Sequence, residues 1–132
     1  MAQNEELKVL KFSLLVAALV SLVYGLTYFL APSMLVTLSG GDPINFGWVR
    51  WAGGVLIALG ICTLMVYSKP EKQGIFVLSI TLAYLLAGLG LLYSWIRHEY
   101  SGATWFIAFA TCLTLVLSVL LFWGRSKAKG IL

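Results

Sequence analysis

The chain has 132 residues, of which 61% are hydrophobic and 11% charged, with a net charge of +4 and a mean hydropathy of +0.96. Soluble domains are about 45–50% apolar and about 25% charged. Nine bases and five acids cannot coat a globule of this size, so a water-soluble monomer is excluded and a polytopic membrane protein remains.

The charges fall in clusters separated by uncharged stretches at 12–41, 51–68, 73–96 and 100–124. A bilayer core about 30 Å thick is crossed by roughly 20 apolar helical residues, so each stretch holds one span. The apolar runs are continuous and do not alternate, which selects helices over barrel strands. The predicted fold class is therefore all-α, an integral membrane four-helix bundle in a single domain, with spans at 11–30, 48–67, 75–95 and 105–123.

The first span carries about 19 apolar residues, more than a signal-peptide core holds, and no small-residue cleavage site follows it; it is expected to be retained. Pro32 is expected to end it, because proline lacks the N–H that the helix needs. Residues 32–38 are apolar and are predicted to lie in the interface as a short helical segment. Gly40 and Gly41 then reverse the chain. Asp42-Pro43 is expected to open the second span as cap and first-turn proline, and Pro70 to do the same before the third. Gly124 is expected to stop the fourth.

Lys8, Lys11, Lys69, Lys72, Arg125, Lys127 and Lys129 lie on one side of this arrangement, and Arg50 and Arg97 on the other. Basic residues concentrate in cytoplasmic loops, so both termini are expected in the cytoplasm. The basic rim is read as contact with anionic lipid. Nucleic-acid binding would need a basic face outside the bilayer, which the short tails do not provide.

Small residues recur every four positions on each span: Ser13, Ala17, Ser21 and Gly25 on the first; Gly54, Ala58 and Cys62, beside Gly53, on the second; Ser79, Ala83 and Ala87 on the third; Ala110, Thr114 and Ser118 on the fourth. Such rows let helix backbones approach closely in lipid and predict a compact bundle.

Reactive chemistry is sparse. No Asp, Glu, Lys or His lies at mid-span, which argues against proton-coupled transport. Cys62 and Cys112 are expected at depths differing by about 10 Å at ~1.5 Å of rise per residue, too far apart for a disulfide, and are read as small packing residues. His98 is the lone histidine, so neither a metal site nor a bis-histidine haem is expected. No cofactor and no catalytic group is predicted.

One constellation stands out on the side opposite the lysines. Arg50 lies about one turn inside the second span, between Trp48 and Trp51. Arg97, His98 and Glu99 follow the third span, and Trp95, Trp105 and Tyr28 lie at the same level. Asp42 and Glu99 are the acids within reach of Arg50. The group reads either as an interfacial aromatic belt with arginines extended toward headgroups, or as a shallow aromatic cavity in which Arg50 holds a polar ligand end.

The proline-bearing segment, Ala31-Pro32, followed by Arg50-Trp51-Ala52-Gly53-Gly54 at the opening of the second span, resembles the DoxX-like small four-helix membrane proteins of bacteria. The likeness is architectural and extends over all four spans. It implies a bacterial inner-membrane location and, in some relatives, redox partners; Arg50 is the sole site residue it carries over.

Two functions are expected on these grounds. The first is a non-enzymatic accessory or scaffold subunit, associating with other membrane subunits or with copies of itself. The alternative is a binder or carrier of a lipid-like molecule, a quinone or lipid, at an outward-facing aromatic cavity around Arg50.

Overall fold

The computed structural model describes residues 2–42 and 45–132. It is all-helical, with α1 (Ala2–Leu30), α2 (Pro32–Ser39), α3 (Phe46–Ser68), α4 (Gly74–Ile96) and α5 (Thr104–Lys127). Four of these, α1, α3, α4 and α5, are long and apolar enough to cross a membrane, and the protein is a multi-pass membrane protein.

Helix α1 starts nine residues ahead of the expected position 11. Gln3, Glu5, Glu6, Leu7 and Lys8 are good helix formers, so the helix continues past its apolar stretch. Its 29 residues span about 44 Å, longer than the ~30 Å hydrocarbon core.

The breaks follow local chemistry. Pro32 offers no N–H to the Tyr28 carbonyl, so α1 ends at Leu30 and the proline becomes the first residue of α2. Gly40 closes α2 at φ 67°, a left-handed conformation that suits glycine. Asn45, three residues beyond the expected Asp42, caps α3: its Oδ1 accepts from the Gly47 N–H at 2.9 Å. Pro43 lies outside the described residues. The Asp42 N–H turns instead toward Ser101 Oγ, at 3.3 Å.

Pro70 sits four residues ahead of α4 rather than within its first turn. Its carbonyl accepts from the Gln73 N–H at 3.1 Å, closing a tight turn with Lys72 at φ 63°. Helix α5 does not stop at Gly124 but continues to Lys127. That glycine is buried against α1, where a Cβ would lie 2.7 Å from the Leu10 Cα; its role is close approach, not termination.

At the far end of α4 the Glu99 N–H donates to the Ser94 carbonyl at 3.0 Å and the His98 N–H to the Trp95 carbonyl at 3.2 Å. His98 sits between them at φ 55°. This is the paired arrangement in which glycine normally occupies the left-handed position.

Packing places α1 at the centre. It lies between α3 and α5, and α4 leans on α5, whereas α3 and α4 touch little despite their short connecting turn. The α1–α3 contact is nearly backbone on backbone. A Cβ on Gly25 would lie 2.8 Å from the Ile57 N and one on Gly53 would lie 2.7 Å from the Phe29 N, while Gly60 abuts Leu22.

The α1 row of Ser13, Ala17, Ser21 and Gly25 is buried throughout. The rows on α3 and α4 are not used in the same way: Ala58, Ala83 and Ala87 are exposed and Gly54 is half-buried. Both cysteines are also exposed, as free thiols, and are not core packing residues. Ala83 and Ala87 are exposed because they face the space left where α3 and α4 do not close on one another.

Side chains fill the end of the bundle that holds both termini. Leu10, Leu14, Ala17, Val66, Val77, Ile80, Tyr84, Leu117 and Leu121 form one buried cluster there. The opposite end is closed by hydrogen bonds. Helix α2 lies across it, and the Ser39 carbonyl accepts from the Ala103 N–H of the α4–α5 connection at 2.6 Å.

Two outcomes test this account by thermal unfolding in mild detergent. Gly53→Ala forces α1 and α3 apart at a backbone contact and is expected to destabilise by about 1–3 kcal/mol. His98→Gly removes a side chain from a left-handed position and is expected to stabilise by up to about 1 kcal/mol.

Candidate functional site

Because α3 and α4 diverge above the filled core, a cleft of about 280 Å³ opens between them, backed by α1 and α5. Val20, Ser21, Tyr24 and Tyr28 come from α1; Val55, Leu56 and Leu59 from α3; Ala83, Tyr84, Ala87 and Leu91 from α4; Ala110, Leu113 and Thr114 from α5. The volume lies near the lower end of ligand-sized cavities, which run roughly 300–1,000 Å³. The small side chains of Ala83, Ala87 and Ala110 help to make the space.

The floor is a polar layer between cleft and core. Tyr84, near the middle of α4, donates its phenol proton to the Ala17 carbonyl at 2.7 Å. Its single proton being committed, the 2.5 Å contact with Ser21 has Ser21 Oγ as donor and the Tyr84 oxygen as acceptor. Thr114 gives its proton to the Ala110 or Thr111 carbonyl, at 2.9 and 3.0 Å. Tyr84 and Ser21 join α4 to α1, Thr114 bonds within α5, and with their protons spent the three leave only acceptor lone pairs toward the cavity.

The opposite end is aromatic. The Tyr24 and Tyr28 rings meet edge to face with centroids 5.9 Å apart, and neither hydroxyl has a hydrogen-bond partner among the described residues. Tyr100 lies in the α4–α5 connection. Its own hydroxyl is buried and has no partner among the described residues.

Of the eight ligand-binding residues expected from the sequence, Tyr28 alone lines this cleft. Trp48, Trp51 and Trp105 are exposed, Trp95 is half-buried, and Arg97 and His98 are exposed in the α4 cap. Trp48 and Trp51 contact each other edge to face, with centroids 6.2 Å apart. Exposed tryptophans at one end of a span suit a membrane–water interface.

Arg50 is exposed and pairs with neither expected acid. Its Nη1 donates to the Phe29 carbonyl at 2.5 Å, while Glu99 Oε2 accepts from Ser94 Oγ at 3.2 Å. The break at Pro32 leaves the last carbonyls of α1 without helical donors, and a guanidinium one turn into α3 satisfies one of them. Arg50 thus fastens the end of α1 to the start of α3.

The residues that the sequence reading passed over are Ser21 as a polar contact, Tyr24 and Tyr84. Their signal was a hydroxyl-bearing side chain well inside a span, away from the interfacial belt, where an unpaired hydroxyl is costly. For Tyr84 that signal marks the floor; for Tyr24 it marks the aromatic end.

The arrangement defines a class: a four-span membrane protein with a side-opening apolar cleft and hydroxyls at its two ends. The chain belongs to the family described as a domain of unknown function, DUF4345, which matches residues 9–125. No curated protein and no solved structure matches it.

Replacing Arg50 with alanine removes the Phe29 fastening. The expected loss is about 1 kcal/mol, that of one solvent-facing hydrogen bond to a charged donor, read as a lowered thermal midpoint. Arg50→Lys, without the guanidinium's reach and fork, is expected to recover only part of it.

Proposed function

We propose that the protein is a non-enzymatic membrane protein that binds a lipid-like molecule in the cleft between α3 and α4. The observation that carries this reading is the cleft itself: apolar walls, exposed small residues on α4 and an opening between two helices toward the surrounding lipid. Lipid tails reach such a site sideways without leaving the hydrocarbon. The walls bring no acid, histidine or thiol to the space, so holding is the chemistry the site favours. The resemblance to DoxX-like bundles and the lysine-rich terminal end favour a bacterial inner membrane with the cleft in the outer leaflet.

A second reading is supported by the exposed Ala83 and Ala87 on α4. Small residues on a lipid-facing helix surface suit close approach by another helix, which would make the protein an accessory subunit whose partner covers the cleft.

One experiment separates the two. The protein is extracted in mild detergent and measured by native mass spectrometry alongside Ala87→Phe, whose added ring extends into the cleft. A bound lipidic mass near one per chain in wild type, lost in Ala87→Phe and kept in Arg50→Ala, is expected. Wild type free of lipid but carrying a stoichiometric polypeptide would replace the first reading with the second.

A further inference from the structure

The cleft selects by charge and by hydrogen-bond direction. None of its fourteen lining residues is ionisable as an acid or base near neutral pH, histidine included. Arg50, the cation expected at the site, lies outside the lining and is engaged with the Phe29 carbonyl. A carboxylate or phosphate brought into the cleft would lose water and gain no counter-charge, which is strongly unfavourable. At the terminal end of the same α3–α4 seam, by contrast, a separate depression does include a lysine, Lys69, beside Met65, Gln73 and Phe76.

Hydrogen-bond direction narrows the class further. At the floor, the protons of Tyr84, Ser21 and Thr114 are all spent on protein oxygens. At the aromatic end, the Tyr24 and Tyr28 hydroxyls keep their protons available among the described residues. Donors therefore stand at one end of the cleft, and the wall between the ends is hydrocarbon. An oxygen acceptor placed between the two phenols would satisfy groups that lipid tails leave unpaired.

Building on the reading of the cleft as a lipid site, we propose that its occupant is an uncharged amphiphile. Its head presents a carbonyl oxygen, of a ketone or an ester, to Tyr24 and Tyr28. Its hydrocarbon lies along Val55, Leu56, Leu59 and Leu91 toward the Ser21–Tyr84 floor. Quinone-type ketones and acylglycerol esters share this chemistry.

The test uses the full chain in phosphatidylcholine nanodiscs, titrated separately with a decyl-substituted benzoquinone, dioctanoylglycerol and, at pH 8, decanoate. Occupancy is read by native mass spectrometry. At least one neutral probe is expected to bind at one per chain, and decanoate to bind at least about tenfold more weakly for want of a counter-charge. Binding of the benzoquinone alone would identify a ketone head, and of the glyceride alone an ester head.

The double variant Tyr24→Phe/Tyr28→Phe keeps both rings and loses both donors, and is expected to weaken the neutral probe about tenfold or more. Tyr93→Phe, exposed and outside the lining, is expected to change nothing. Decanoate binding as tightly as the neutral probes, or a double variant that binds them unchanged, would overturn the assignment of the head. In either case the cleft reading survives if Ala87→Phe still abolishes binding. If no probe binds wild type, both readings fail.

Discussion

The architecture depends on how closely α1 and α3 approach each other. Gly25 and Gly53 bring the two backbones to a separation at which a single Cβ on either side would strike main-chain nitrogen or oxygen. In lipid, helices gain nothing from hiding apolar surface, so dispersion contact at short range and a few hydrogen bonds must hold them. Committing α3 to α1 in this way, with Gly60 against Leu22 as a further point, draws α3 away from α4. Helix α4 is meanwhile held by α5 and by the Tyr84 hydroxyl on the Ala17 carbonyl. The cleft is the geometric remainder of those two preferences.

Arg50 belongs to the same logic. A helix that stops at a proline leaves carbonyls without donors, and in a membrane protein such groups need partners from the protein itself. The guanidinium on α3 supplies one at the point where α3 begins its descent along α1. The residue that stood out most in the sequence is therefore a fastening between helices, and the lining of the cleft is made of residues that look ordinary in a row of letters.

Legibility in the sequence follows the range of the interaction involved. Four helices could be read because each uncharged stretch matches the thickness of a bilayer, and Pro32 could be read because its missing N–H acts within one turn. The buried α1 row could be read from its spacing. Gly124 was misjudged as a stop because a glycine near a helix end and a glycine at a crossing are the same letter; only the approach of Leu10 distinguishes them. The cleft was not legible because it depends on which helices are neighbours. Sequence spacing shows that α3 and α4 carry small residues, but the preference of α3 for α1 is a pairwise matter of shape. Arg50's partner was not legible for a related reason: charge points to the acids Asp42 and Glu99, whereas the group in need is the Phe29 main-chain carbonyl.

The side-chain layer beneath Tyr84 has a consequence for what the molecule can do with an occupant. Leu10, Leu14, Val77, Ile80, Leu117 and Leu121 fill the interior below the cleft, so the space is a blind alcove and not a bore. The proposed occupant, drawn in from the side, would leave by the side. Such a geometry would suit the proposed role, custody of a lipid-like molecule within one leaflet.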